Sequence, residues 1–298
     1  MRFTFTRLVT LASLALWAGW IVALNTGASR LMRRRRPDPP DTPDNYGIAY
    51  EEIHFTSRDR VNLVGWWIPA EKPLGTVIMC HGQEGSMDGD TRQMVPLHDA
   101  RFNVLMFDFR AHGRSEGNCV SMGMYEKEDL LGALDTLAER KGVERVGVLG
   151  FSMGAAVALI TAALSERIGA VVADSSFGRL RSTLTGWAVQ KGIPSPIARQ
   201  FAAWVLIAAS IRTEGRMDQT DPIRWTVHIG PRPILFIHGA DDPFVPMEEV
   251  NRMASLAAGP VEVWTVDGTG HRGAYAADPV EYNNRVIDWF KRYLTEES

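Results

Sequence analysis

The chain has 298 residues, of which 45% are hydrophobic and 22% charged, the composition of a globular protein with one substantial core. Its formal charge of -3 hides an asymmetry: residues 1–36 carry seven arginines and no acid, leaving 25 basic against 35 acidic residues, a net charge of -10, on the rest. That acidic body excludes a nucleic-acid binder, and two cysteines, Cys80 and Cys119, exclude a disulfide framework or a cysteine metal site.

From Leu8 to Ser29 no residue is charged, and Leu8 to Leu24 is nearly all apolar. At about 1.5 Å per residue the uncharged stretch reaches roughly 33 Å as a helix, enough to span a bilayer. No polar face recurs at helical spacing, so a buried core helix is disfavoured. Arg2 and Arg7 ahead of the run and Thr26-Gly27-Ala28 near its end also allow a cleaved signal peptide. The preferred reading is a single-pass anchor. Five arginines follow the span and two precede it, which predicts a cytoplasmic body and favours anionic headgroups beside the cluster. Residues 1–36 are thus read as anchor with basic flank, the proline-rich residues 37–47 as linker, and residues 48–298 as the catalytic domain.

Ile48 to Thr56 and Asn62 to Pro69 read as an antiparallel hairpin. Continuous apolar strands then alternate with helices. Strands are predicted at Thr76–Cys80, Phe102–Phe107, Arg145–Leu149, Ala170–Ala173, Ile234–Ile237 and Val261–Val266, and helices at Tyr125–Arg140, Met153–Leu164, Met247–Leu256 and Pro279–Leu294. Runs buried on both faces imply an α/β fold with a mostly parallel sheet between helical layers. Residues 177–230 interrupt the rhythm with helix formers, tryptophans and isoleucines. They are read as a helical cap over the carboxyl ends of the strands, where open α/β sheets bind ligands.

Arg145 to Gly154 is the stretch on which the chemistry depends. An apolar strand runs into Gly150-Phe151-Ser152-Met153-Gly154 and then into helix formers, the strand-turn-helix context of a nucleophile elbow. A serine hydroxyl is weak at neutral pH and needs a base, which in turn needs an orienting acid. Seven histidines are available. His81 and His238 sit in strand-end His-Gly pairs suited to turns, and His54, His98, His112 and His228 lie in the hairpin or in connections. His271 follows the last strand in a glycine-rich loop and is the candidate base. Asp241 and Asp242 both lie between nucleophile and base, and the pattern does not separate them. Gly268 to Gly273 also fits G-x-G-x-x-G, but only 25 residues remain after it, with no second strand to complete a dinucleotide-binding unit.

From about Ile48 onward the chain resembles the serine hydrolases of the α/β-hydrolase superfamily, and within it a bacterial, often membrane-anchored branch similar to BEM46-like and dienelactone-hydrolase-like proteins. The resemblance rests on Leu63 to Trp67, Cys80-His81-Gly82, Asp108 to Ser115, Gly150 to Gly154, Ala173-Asp174-Ser175, the aspartate loop and Gly270-His271. It implies the α/β-hydrolase fold with a cap, Asp242 as the acid, and the backbone amides of Gln83 and Met153 as oxyanion donors. Ala111 stands where the similar proteins have glycine, a change in loop geometry outside the triad. An elbow serine excludes the dehalogenase and epoxide-hydrolase chemistry that requires aspartate there.

The expected function is hydrolysis of an ester or thioester of a small to medium acyl group through Ser152, His271 and Asp242, with no metal or cofactor implied. A peptidase or amidase of the same fold, and a silent binding protein, are the alternatives. The expected partners are the acyl substrate and the bilayer, without nucleic acid.

Overall fold

The computed structural model describes residues 2–215 and 217–295. Met1, Arg216 and residues 296–298, which fall inside the expected anchor, insertion and hydrolase boundaries, lie outside the described residues.

An eight-stranded sheet forms the centre: β1 (Glu51–Thr56), β2 (Asn62–Ile68), β3 (Gly75–Cys80), β4 (Phe102–Phe107), β5 (Val146–Phe151), β6 (Ile168–Asp174), β7 (Ile234–Gly239) and β8 (Val261–Val266). Its spatial order is β1-β2-β4-β3-β5-β6-β7-β8. The hairpin β1–β2 pairs antiparallel, β2 meets β4 antiparallel, and every pair from β4 through β8 is parallel. Parallel neighbours require crossovers, which the helices supply. In chain order they are α1 (Arg2–Met32), α2 (Thr91–Asp99), α3 (Glu126–Lys141), α4 (Met153–Leu164), α5 (Leu180–Gln190), α6 (Ser195–Arg212), α7 (Pro222–Trp225), α8 (Met247–Leu256), α9 (Ala274–Ala277) and α10 (Pro279–Leu294).

Two apolar layers sandwich the sheet. One gathers α3, α4 and α8 with Ile78, Val148 and Phe236, and the other gathers α2 and α10 with Val77, Leu149 and Leu235. Successive residues of one strand thus enter opposite layers, which is why these strands read as unbroken apolar runs. The insertion between β6 and β7 folds as α5, α6 and α7, with no strand among its described residues.

The amino-terminal segments pack more closely on the body than their sequence suggests. Helix α1 is long and apolar enough to be a membrane anchor or a signal sequence, its most apolar 18-residue window between Arg7 and Met32 having a mean hydropathy of 1.8. Its last turns, however, belong to the body, because Ala28, Leu31 and Met32 are buried in the layer that also holds α4. Residues 37–47, polar and proline-rich like a linker, are docked: Asp38 accepts the Ser86 amide at 2.8 Å, and the Asp41 carbonyl accepts from Thr91. Of the four consecutive arginines, Arg34 donates to the carbonyls of Gly113 and Gly117. Arg35 is buried, donates to Leu31 and pairs with Glu84 at 3.2 Å. Those two guanidiniums are held by protein, which leaves Arg33 and Arg36 exposed.

Candidate active site

Strand β5 delivers Ser152 at its carboxyl end, and α4 starts at the next residue. The serine adopts φ 51° and ψ -108°, a conformation that L-residues rarely occupy and that turns its side chain out of the strand-to-helix corner. The corner is tight. A Cβ on Gly154 would lie 2.0 Å from the Cys80 carbonyl, so only glycine lets the start of α4 pass β3 at this distance.

Loops after β7 and β8 bring the partners. His271 Nε2 lies 2.8 Å from Ser152 Oγ, and its Nδ1 lies 2.7 Å from Asp242 Oδ2. Asp242 Oδ1 accepts the amides of Phe244 and Val245 at 2.8 and 3.1 Å, which fixes the carboxylate against its own turn. Burial alone raises a carboxyl pKa, but here the His271 hydrogen bond and the two amides outweigh it and hold Asp242 below its usual range. Asp242 is therefore ionised at neutral pH. The neighbouring Asp241 is exposed, and its amide donates to Thr269, tying the aspartate loop to the histidine loop. Gly239 permits that approach, since a Cβ there would stand 2.4 Å from the Gly270 carbonyl. The ring of Phe244 meets that of His271 edge-on at 5.4 Å.

Of the two expected oxyanion donors, Met153 directly follows the serine and Gln83 follows Gly82. Met153 is the first residue of α4, so its amide has no acceptor within the helix. Gln83 follows β3, and the preceding Gly82 is adjacent to the nucleophile, a Cβ built there standing 3.7 Å from Ser152 Cβ. His112 Nε2 lies 2.8 Å from the Gln83 carbonyl, and the Gln83 side-chain amide donates to the Leu31 carbonyl at 2.9 Å. The residue is held by its main chain and its side chain, the latter by the last turns of α1.

Behind the histidine loop runs a polar network that pattern reading missed. The Arg272 amide donates to Ser175 Oγ at 3.0 Å, Ser175 donates to Asp174, and Tyr282 donates to the other oxygen of Asp174. The Arg272 guanidinium pairs with buried Asp90 and lies over the Phe151 ring at 4.6 Å. Burial pushes the carboxyls of Asp90 and Asp174 up, against the opposing pull of Arg272. The network clamps the residue after His271 to the end of β6. Its only trace in the sequence is Ala173-Asp174-Ser175, which carried no role there.

Two other histidines are engaged within the fold: His81 Nε2 accepts the Phe109 amide at 3.0 Å, and His238 Nε2 lies 3.0 Å from the Val245 carbonyl. Cap helix α5 packs directly on the aspartate loop, for a Cβ on Gly186 would stand 2.5 Å from the Pro243 carbonyl.

A mostly parallel sheet with a strained serine, a histidine and a carboxylate converging at its carboxyl edge defines a class, and the chain belongs to the α/β-hydrolase fold family. The family model described as alpha/beta hydrolase fold matches residues 75–204. Among curated relatives, the uncharacterized protein YfhR of Salmonella typhimurium is 30% identical over 268 residues, covering 85% of each chain. The uncharacterized protein YqkD of Bacillus subtilis is 28% identical over 262 residues, covering 83% of this chain and 77% of that one. Among solved structures, the esterase Pf2001 of Pyrococcus furiosus superposes with a TM-score of 0.74 at 28% identity, covering 88% of this chain and 98% of the esterase. Family and neighbour together support a hydrolase.

Proposed function

We propose that the protein is a serine hydrolase of carboxylic esters or thioesters with small to medium acyl groups. The observation that carries this reading is the chain of contacts from Ser152 Oγ through the His271 ring to Asp242, at 2.8 and 2.7 Å. His271 takes the proton from Ser152 as the hydroxyl attacks the acyl carbonyl, and Asp242 orients the ring and stabilises its cation. The tetrahedral oxyanion is met by the amides of Gln83 and Met153. Collapse releases the alcohol or thiol, which receives the proton from His271. Water, activated by the same ring, then frees the acid from the acyl-enzyme. The esterase Pf2001, similar along most of this chain, favours ester cleavage over the peptidase alternative.

A p-nitrophenyl ester series with the full chain tests the reading. Each added methylene buried under the cap is worth about 0.8 kcal/mol, so kcat/KM is expected to rise roughly fourfold per CH₂ until the pocket is full. A flat series from acetate onward, or faster cleavage of peptides than of esters, contradicts it.

The same reading makes α1 an anchor with the hydrolase body on the cytoplasmic side, supported by five arginines after the span against two before it. Carboxyl-terminal fusions are expected to give a fluorescent reporter and an inactive phosphatase. The opposite pair reverses the topology.

A further inference from the structure

Helix α6 is apolar on two opposite faces. Ala198, Ala202, Val205, Leu206 and Ala209 are buried against the body and α1, as an amphipathic cap helix requires. The remaining face should be polar, yet Ile197, Trp204, Ile207 and Ile211 recur on it at helical spacing and are each between 42% and 75% exposed. Four large side chains in one stripe differ from the scattered apolar residues that any surface carries.

The neighbour of this stripe identifies what covers it. Helix α6 runs beside the second half of α1 in the same direction: Phe201 meets Trp20 edge-on at 5.9 Å, a Cβ on Gly27 would overlap Val205, and Arg212 donates to Asn25 and Ser29. The stretch of α1 just before this contact carries Leu14, Leu16 and Trp17, each more than half exposed. Whatever solvates that part of α1 therefore reaches α6. With Arg199 within it and Arg212 at its end, α6 does not suit a spanning position, but an apolar stripe with tryptophan and flanking arginines suits the headgroup–acyl boundary.

We infer that α6 is a second membrane contact, dipping inward from the headgroup–acyl boundary beside the anchor with its Ile197 end leading, and that the cap takes from that leaflet an acyl ester dissolved in it. The contact rests on α1 being retained as an anchor, and the substrate route rests also on the serine-hydrolase reading. The Phe201 end lies beside Trp20 and the Arg212 end beside Ser29, so Ile197 sits deeper than Ile211.

The test uses the full chain in phosphatidylcholine–phosphatidylglycerol vesicles, in a Cys119→Ser background with Cys80 buried. An environment-sensitive NBD label is placed at Ile197→Cys, Ile211→Cys or, on the opposite face of the sheet, Val280→Cys. Labels at 197 and 211 are expected to shift to the blue and to be quenched by brominated acyl chains, 197 more than 211, while 280 keeps its aqueous spectrum. In parallel, Ile207→Asp with Ile211→Asp is expected to lower kcat/KM for a vesicle-dissolved ester by about tenfold or more, with a water-soluble short ester cleaved within about twofold of the parent rate. Aqueous spectra at 197 and 211 overturn the contact, as does cross-linking of these cysteines between two copies. Quenched labels with equal loss on both esters overturn the substrate route alone. Quenched labels in a protein with no Ser152-dependent hydrolysis remove the proposed function and leave the contact standing.

Discussion

Ser152→Ala is expected to lower kcat for ester hydrolysis by about 10⁶-fold, with KM changed little and far-ultraviolet circular dichroism unchanged. The size follows from the arrangement. The hydroxyl is the only atom positioned for attack in this proposal, and without it the base and its orienting acid have nothing to act on. The strained backbone at φ 51° is set by the tight corner between β3, β5 and α4, with glycine at 150 and 154, and alanine is accommodated there at the same strain. A loss of only tenfold removes Ser152 from the role of nucleophile.

Asp242→Asn is expected to cost about 10⁴-fold in kcat, while Asp241→Asn stays within about twofold. The two residues are adjacent in sequence and differ in every physical respect that matters. Asp242 is 0% exposed at its side chain, anchored by two amides and 2.7 Å from His271, whereas Asp241 points to solvent. An asparagine at 242 presents either an oxygen without charge or an amide that faces the ring with the wrong partner. It fixes the wrong tautomer and leaves the imidazolium uncompensated. If the losses are exchanged between the two variants, the acid has been misassigned.

The elements whose sequence carries one dominant signal were legible. The helices Met153–Leu164, Met247–Leu256 and Pro279–Leu294 and the strands Phe102–Phe107 and Val261–Val266 have the boundaries expected of them. Strands β5 and β6 run further than their apolar cores because Phe151 and Asp174 still pair in register, a tertiary bond that carries the sheet to the edge of the site. Helix α2 escaped notice because Thr91 to Asp99 holds few apolar residues and a proline at 96. Topology could have found it, since β3 and β4 are parallel and their connection must cross over.

Within the site, the three candidate residues were visible because each lies in a short motif at a strand end. The choice of Asp242 over Asp241 came from resemblance, and residue pattern could not make it: exposure and direction of a side chain are not encoded in adjacency. The clamp of Arg272, Asp90, Asp174 and Tyr282 was invisible for a similar reason, its members lying up to 192 positions apart and meeting only through the fold. Residues 37–47 look like a free connector because prolines exclude regular structure. The Asp38 carboxylate and the Asp41 amide and carbonyl are nevertheless satisfied by Ser86, Asp88 and Thr91 on the body.

The most direct measurement of the central claim is intact-mass and peptide analysis of the full chain after reaction with a fluorophosphonate. The proposal predicts one adduct per chain, located on Ser152, with labelling slowed strongly in His271→Ala and absent in Ser152→Ala. No adduct on the folded protein, or an adduct on another serine that persists in Ser152→Ala, contradicts it.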